Sequence, residues 1–365
     1  MNATPTLQLL RGWKMGAASG VGLPDCTLIV PTFKRPREMI ALLECLLQIP
    51  DPPGEVVIVD GSPGEDVSRA VQPWADAVEL PLNLACVSSQ AGLTSQRNVG
   101  IDAAGGDYIF FLDDDCLPEP GYFSAIRDVF AKDSRREVGA VRGFLTNGIN
   151  KPLTRLWRLR YAIGLVPRSE PGRYHSSGTS GTWDMVAPFS GVRPVDVLAG
   201  GASAYRREVF EQDRFSEFFY GYAQGEDLEM SLRIGKRWKL LVCGDARVLH
   251  NHAESGRPTG IRRGRMAVRN RYFIWRRHSP DAGLADGLRF WADHALSVAY
   301  YLAAYVIRPW EPYFLGYATG TVWGAVLCLV MPPRYEEPPA RREYAFNLKA
   351  MAGRESGRRA ICARE

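Results

Sequence analysis

An open α/β sheet is the architecture the sequence predicts, and three observations point to it. Short Val/Ile-rich runs, Cys26 to Pro31 and Glu55 to Asp60, end at turn residues and flank a helix-period stretch from Glu38 to Gln48, which is a strand, helix, strand unit. A third apolar run, Tyr108 to Leu112, follows a helical stretch at Ser95 to Ala104. That run ends in three consecutive carboxylates, Asp113, Asp114 and Asp115. In open α/β sheets ligands sit outside the carboxyl ends of the strands, so functional side chains are expected there.

Downstream the pattern changes character. From about Asn147 to Pro194 it dissolves into Gly, Ser, Pro and Trp, with Tyr174 to Trp183 the most loop-like part, and so long an irregular stretch reads as a lid or binding loop. Regular structure is expected again at Val195 to Leu198, as a helix from Gly225 to Gly235, and as a strand from Lys239 to Cys243. Beyond Gly260 the chain reads as an Arg-rich helix followed by apolar segments at Ala295 to Ile307 and Tyr313 to Met331. The second segment lacks a charge and approaches the ~20 residues of a membrane span. It is read first as a buried or interfacial helix, with a true span as the alternative. Gly316, Gly320 and Gly324 recur every four residues and would give it a close-packing face.

Composition narrows the function classes. Hydrophobic residues make up 46% and charged residues 23% of the 365, as in a globular protein with a sizeable core. The formal charge of +5 is local, because Ser255 to Pro280 holds eight arginines and no acid. Such a segment is either a solvated face or a contact for phosphates on a nucleotide, a lipid headgroup or a nucleic acid. Aromatics interleave it at Tyr272, Phe273 and Trp275, but no nucleic-acid-binding motif accompanies them, and nucleic acid is not expected as a partner. The seven scattered cysteines contain no CxxC pair, which argues against a disulfide framework or zinc site. Residues 1–24 show no sustained apolar run before a cleavage site, so the expected location is cytoplasmic, peripheral at the inner face of the cell membrane.

The acidic triplet carries the chemistry. Adjacent carboxylates at the end of an apolar strand repel one another unless a cation or hydrogen-bond donors neutralise them. Mg²⁺ or Mn²⁺ commonly takes one or two carboxylates plus substrate phosphates. A solvated acidic turn is the competing explanation.

The order of motifs resembles glycosyltransferase family 2. Val30-Pro31-Thr32-Phe33-Lys34-Arg35-Pro36, Val57 to Ser62, Gln96 to Ile101, the triplet, Gly200 to Arg207, Gly225 to Arg233 and Val248-Leu249-His250 follow one another as in that family, over about residues 26 to 278. The resemblance implies a GT-A fold, a mixed sheet flanked by helices, here with a partly apolar helical C-terminal extension. With the Arg-rich and apolar segments read above, the expected organisation is an N-terminal extension at 1–24, a GT-A catalytic domain at 25–255, an Arg-rich and apolar helical membrane-associating region at 256–335 and a polar tail at 336–365.

Site residues follow from the same resemblance. Pro31, Thr32 and Phe33 would border the nucleotide, and Asp60 would bond its base, although Asp60 also suits a turn before Gly61. Arg97 would lie near the donor or else on a helix surface, with Asn98 organising local backbone. Asp115 would be the principal metal ligand and Asp113 the first Asp of a DxD pattern, with Asp114 at the ribose or metal. Gly200 and Gly201 would bring backbone close to the sugar, or form a tight turn. Asp227 would be the general base of an inverting transfer and Glu226 its orienting partner, where simple helix capping is the alternative. His250, rather than His252, would complete the metal site.

The implied activity is metal-dependent transfer of a sugar from a nucleoside-diphosphate sugar to a hydroxyl of a glycan or lipid-linked acceptor. A nucleotidyltransferase of similar fold is the nearest alternative, but Val30 to Pro36 lacks its Gly-rich phosphate loop. A non-catalytic nucleotide-sugar-binding membrane scaffold is the other.

Overall fold

A continuous apolar run buries both its faces only in a sheet covered by helices on both sides, and the central strands follow that rule. The computed structural model describes residues 6–9, 22–80, 82–146, 154–181, 186–251, 258–334 and 347–349. After β1 (Thr6–Leu9) the chain alternates through β2 (Leu23–Thr32), α1 (Pro36–Gln48), β3 (Pro53–Asp60), α2 (Asp66–Ala77), β4 (Asn83–Ser88), α3 (Leu93–Ala103) and β5 (Tyr108–Leu112). It continues with β6 (Cys116–Pro118), α4 (Tyr122–Lys132), β7 (Val138–Leu145), α5 (Arg155–Ala162), β8 (Val192–Val195), β9 (Ala202–Arg206) and α6 (Val209–Gln212). Last come α7 (Glu226–Ile234), β10 (Lys239–His250), α8 (Gly260–His278), α9 (Leu284–Ile307), α10 (Pro312–Val330) and β11 (Asn347–Lys349).

The strands form one mixed sheet in the order β11-β1-β4-β3-β2-β5-β9-β7-β10-β6, with β8 paired to β10. β4, β3, β2 and β5 are parallel, and β9 runs antiparallel between β5 and β7. The chain winds outward from β2 to β4 and returns to β5 on the other side of β2. A crevice therefore opens where the strand order reverses, between the ends of β2 and β5.

Alternation along each strand splits the core into two layers. Leu28, Val30, Val56, Ile58, Phe110 and Leu112 pack with α1, α2 and α4. Ile29, Val57, Val59, Ile109 and Phe111 pack with α3 and α7 on the opposite face.

Three sequence expectations are corrected. The Asn147 to Pro194 stretch contains α5 and ends in β8, and its described parts are tied down. Arg160 of α5 pairs with Asp293 of α9 at 2.6 Å, and the Trp275 indole donates to the Ser176 carbonyl at 2.7 Å. Residues 147–153 and 182–185 lie outside the described residues. The segment expected from Val195 to Leu198 is not a strand beyond Val195, because the Asp196 and Val197 amides donate to the Gly172 carbonyl and the Leu198 amide to Ser231 Oγ. The strand expected to stop at Cys243 continues past an irregularity at Cys243/Arg247 to His250, pairing first with β7 and then with β6.

The three C-terminal helices are packed onto the sheet domain through α8, which touches α7, and onto each other. The glycine spacing of α10 acts as expected. A Cβ on Gly320 would strike the Ile261 carbonyl, and one on Gly264 the Tyr317 carbonyl, so the two backbones approach closely only through these glycines.

Candidate active site

The end of β2 and the turn after β5 meet through buried side chains. Thr32 Oγ1 donates to Asp114 Oδ2 at 2.7 Å, and Arg35 Nη1 reaches Asp114 Oδ1 at 2.8 Å and Asp115 Oδ2 at 3.7 Å. Burial pushes the Asp114 carboxyl up to about 6, against the lowering pull of Arg35. Asp114 thus bridges Thr32 and Arg35, one to each carboxylate oxygen.

Asp113 and Asp115 face a different set of neighbours. The antiparallel register of β10 on β6 sets His250 opposite Cys116, and His250 Nε2 lies 3.1 Å from Asp115 Oδ1. Ligand atoms of Asp113, Asp115, Cys116 and His250 all fall within 4.8 Å of one another. Two carboxylates and an imidazole within that span are a donor set that fits a divalent cation, with the Cys116 thiol as an additional neighbour. His250 is the histidine of this group, while His252 lies outside the described residues.

The other half of the site is built on α7, whose first turn carries Glu226 and Asp227. The Gly200 amide donates to Asp227 Oδ2 at 3.0 Å, and the Asp113 amide donates to the Gly201 carbonyl at 3.3 Å. Two adjacent glycines therefore join Asp227 to the triplet. A Cβ on Gly200 would sit 2.6 Å from Arg97 Nη1, and one on Gly201 would strike the Asp113 carboxylate. These glycines are needed first to let backbone pass the site's own charged groups.

Arg97 is the buried link between the halves. Its Nη1 donates to Glu226 Oε1 at 2.9 Å and its Nη2 lies 3.6 Å from Asp113 Oδ1. It also lies over the Phe215 ring at 5.1 Å, so it is an interior residue and not a helix-surface one. Burial, then the neighbouring Asp227 charge, pushes the Glu226 carboxyl up to about 8 despite Arg97. Neighbouring Asn98 holds backbone, exchanging hydrogen bonds with the Phe215 amide and carbonyl.

Arg35, Arg97, the acidic triplet, Glu226, Asp227 and His250 line one cleft of about 1150 Å³, together with Pro31, Thr32, Phe33, Gly200 and Gly201. Asp60 is not brought to it. Its carboxylate is fully buried and accepts from the Ser62, Val67 and Ser68 amides at 2.8 to 3.1 Å, which makes it a turn and helix cap under the cleft floor. The described part of 147–194 does not line the cleft either; Tyr220 to Gln224 and Arg262, Arg263, Arg265 and Arg269 of α8 do. Arg35 went unassigned in the sequence, although a base directly after a strand-end Pro-Thr-Phe motif is a usable signal. Nothing in the local sequence announces Tyr220 to Gln224.

Residues 27–213 match the family model described as Glycosyl transferase family 2. The chain belongs to that family. Among curated relatives it is 35% identical over 89 residues to an uncharacterized glycosyltransferase of Haemophilus influenzae, covering 24% of this chain and 29% of that one. It is 32% identical over 95 residues to the amylovoran biosynthesis glycosyltransferase AmsB of Erwinia amylovora, covering 24% and 30%. The matched segment thus spans less than a third of either relative. The mannosyltransferase PcManGT from Pyrobaculum calidifontis, solved in complex with GDP-Man and Mn2+, superposes with a TM-score of 0.52 over 87% of this chain and 90% of that one, at 18% identity. The glycosyltransferase fold is GT-A, with C-terminal helices of which α10 is apolar.

Proposed function

We propose that this glycosyltransferase moves a sugar from a nucleoside-diphosphate sugar to an acceptor hydroxyl with inversion at the anomeric carbon. The observation that carries the reading is the placement of Asp227 and the acidic triplet in one cleft, coupled through Gly200-Gly201 and Arg97. The GDP-Man and Mn2+ of PcManGT support a nucleotide sugar and a divalent metal as the ligands. AmsB's place in amylovoran biosynthesis fits a role in polysaccharide or cell-envelope glycan synthesis.

Asp113, Asp115 and His250 would hold Mn²⁺ or Mg²⁺, which supplies positive charge to the departing nucleoside diphosphate when bound. The protein's own groups do the rest. Asp227, fixed by the Gly200 amide, takes the proton of the acceptor hydroxyl as that oxygen bonds to the anomeric carbon and the bond to the diphosphate breaks. Attack from the face opposite the leaving group inverts the configuration. Glu226 and Arg97 hold the first turn of α7 against the donor side, and Pro31 to Phe33 border the nucleotide. Residues 25–255 carry the transfer and 256–335 attach the enzyme to the cytoplasmic face of the membrane.

The test is Asp227→Asn together with a screen of UDP-, GDP- and dTDP-sugars for metal-dependent thermal stabilisation. The variant is expected to lose transfer and keep donor stabilisation. Retained turnover removes Asp227 from the base role, and no metal-dependent stabilisation by any donor removes the transferase reading.

A further inference from the structure

A cysteine closes the acidic site on its core side. Cys116 opens β6 directly opposite His250 of β10, and opposed residues of an antiparallel pair send their side chains to the same face. The Cys116 amide donates to the Asp113 carbonyl at 3.0 Å, so the turn after β5 folds Asp113 back beside it, and the Asn251 amide donates to the Asp115 carbonyl at 2.8 Å. The result is a mixed set in which atoms of two carboxylates, one imidazole and one thiol all lie within 4.8 Å of one another. Among the described residues no other cysteine belongs to such a group. A CxxC pair is not required for it, because the sheet brings Cys116 and His250 together from positions far apart in the chain.

The set is asymmetric. Asp113 and His250 are partly exposed to the cleft, whereas Cys116 is fully buried on the core side. A hard cation such as Mg²⁺ or Mn²⁺ prefers oxygen ligands, gains little from sulfur and keeps positions for substrate phosphates. A thiophilic cation such as Zn²⁺ is drawn to the sulfur. With Cys116 included, the protein supplies four donors, which is the full coordination of a tetrahedral zinc, and a site of four protein ligands keeps no position open. Tetrahedral bonds of about 2.0–2.3 Å set ligand atoms about 3.3–3.8 Å apart. His250 Nε2 and Asp115 Oδ1, at 3.1 Å, already stand near that spacing. The other atoms need close by no more than about 1.5 Å.

We propose that Cys116 makes this centre an inhibitory zinc site. Zn²⁺ is held inward by Asp113, Asp115, His250 and Cys116, the thiol proton passes to solvent, and the position needed by the donor diphosphate is closed. Mn²⁺ or Mg²⁺ leaves the thiol uncoordinated and that position open. The assignment rests on the metal-centre reading of Asp113, Asp115 and His250, and adds the residue that decides which cations permit donor binding.

The test titrates the full chain, stripped of metal and kept reduced, first with Co²⁺ alone. Co²⁺ stands in for zinc and reports a thiolate ligand by a sulfur-to-metal charge-transfer band in the near ultraviolet. One equivalent should raise that band, and Zn²⁺ should bleach it. Cys116→Ala should lack the band and bind Zn²⁺ more weakly by about a hundredfold or more. It should keep the Mn²⁺-dependent stabilisation by nucleoside diphosphate, measured by thermal shift. In the unaltered chain Zn²⁺ should abolish that stabilisation; in the variant it should not, because three ligands leave a position open. Cys116→Ser, which keeps the side-chain volume and gives no sulfur band, takes the place of the alanine variant if that one does not unfold cooperatively. The proposal is overturned by a missing band in the unaltered chain, by a band that survives in the variant, or by nucleoside diphosphate stabilisation that Zn²⁺ supports as well as Mn²⁺. If Mn²⁺ gives no nucleotide stabilisation in the unaltered chain, the transferase reading fails and the inhibitory role with it, whereas the Co²⁺ band, measured without nucleotide, still decides whether Cys116 is a ligand.

Discussion

Arg97 donates to Glu226 across 2.9 Å in a place where both side chains are buried, and the pair fastens α3 to the first turn of α7. With the Glu226 carboxyl pushed up to about 8, the contact near neutral pH is a charge-assisted hydrogen bond, and removing Arg97 leaves a buried carboxyl without its partner. Arg97→Met is therefore expected to destabilise the fold by about 1–3 kcal/mol in urea unfolding. Adding Glu226→Gln should restore much of that loss. Transfer should stay depressed in both, by about a hundredfold, because the halves of the site are no longer held in register. Additive stability losses would show that the two residues do not act as a pair.

Gly201→Ala tests the close passage of backbone by the triplet. The new Cβ meets the Asp113 carboxylate, which must move away from Asp115 and His250. Overpacking of this kind costs about 1–3 kcal/mol of stability. The specific signature is a weaker Mn²⁺ requirement-dependent stabilisation by nucleoside diphosphate, measured by thermal shift, in a protein that still unfolds cooperatively. Gly200→Ala presses on Arg97 instead and should mainly lower stability and transfer. If Gly201→Ala leaves metal-dependent nucleotide binding at its original strength, Asp113 is not a ligand.

Metal removal should act through Asp115 and His250, which face each other at 3.1 Å. With Mn²⁺ and nucleoside diphosphate at about 100 times its Kd, the folded state should gain about 2.7 kcal/mol, and a chelator should abolish most of that gain. Asp115→Asn should reproduce the chelated state even with the metal present. A variant that keeps the full metal-dependent gain would place the cation elsewhere.

The strand-helix alternation and the triplet were legible because their signals are local. The run Tyr108 to Leu112 is apolar throughout and β5 occupies those same residues. Gly200, Gly201, Glu226 and Asp227 were legible through motif order, yet their coupling to Asp113 and Arg97 was not, since it depends on β9 inserting antiparallel between β5 and β7. Asp60 shows the limit from the other side. An Asp-Gly-Ser after a strand reads equally as a ligand contact or a cap, and only the Val67 and Ser68 amides arriving with α2 decide for the cap. Arg35 was hidden for a similar reason, as its partners lie far along the chain at Asp114 and Asp115.

Acid should destabilise the C-terminal helices through His294. The imidazole is 5% exposed, packs on Phe290 at 4.8 Å between ring centres, and has no hydrogen-bond partner for Nε2 among the described residues. Burial, followed by repulsion from Arg271, lowers its pKa from 6.5 to about 3, against the raising pull of Asp293, with Arg160 adding to the lowering. In the unfolded chain the same group binds a proton near 6.5, so below that pH the unfolded state takes up a proton that the folded state refuses. Stability is present in full above about 6.5 and falls as pH drops toward about 3, with a slope of up to about 1.4 kcal/mol per pH unit from this residue. Other groups titrate in the same window, so the comparison is between the unaltered chain and His294→Gln by urea unfolding at several pH values. The variant should show the shallower acid limb, and identical limbs would mean that His294 is protonated in the folded protein.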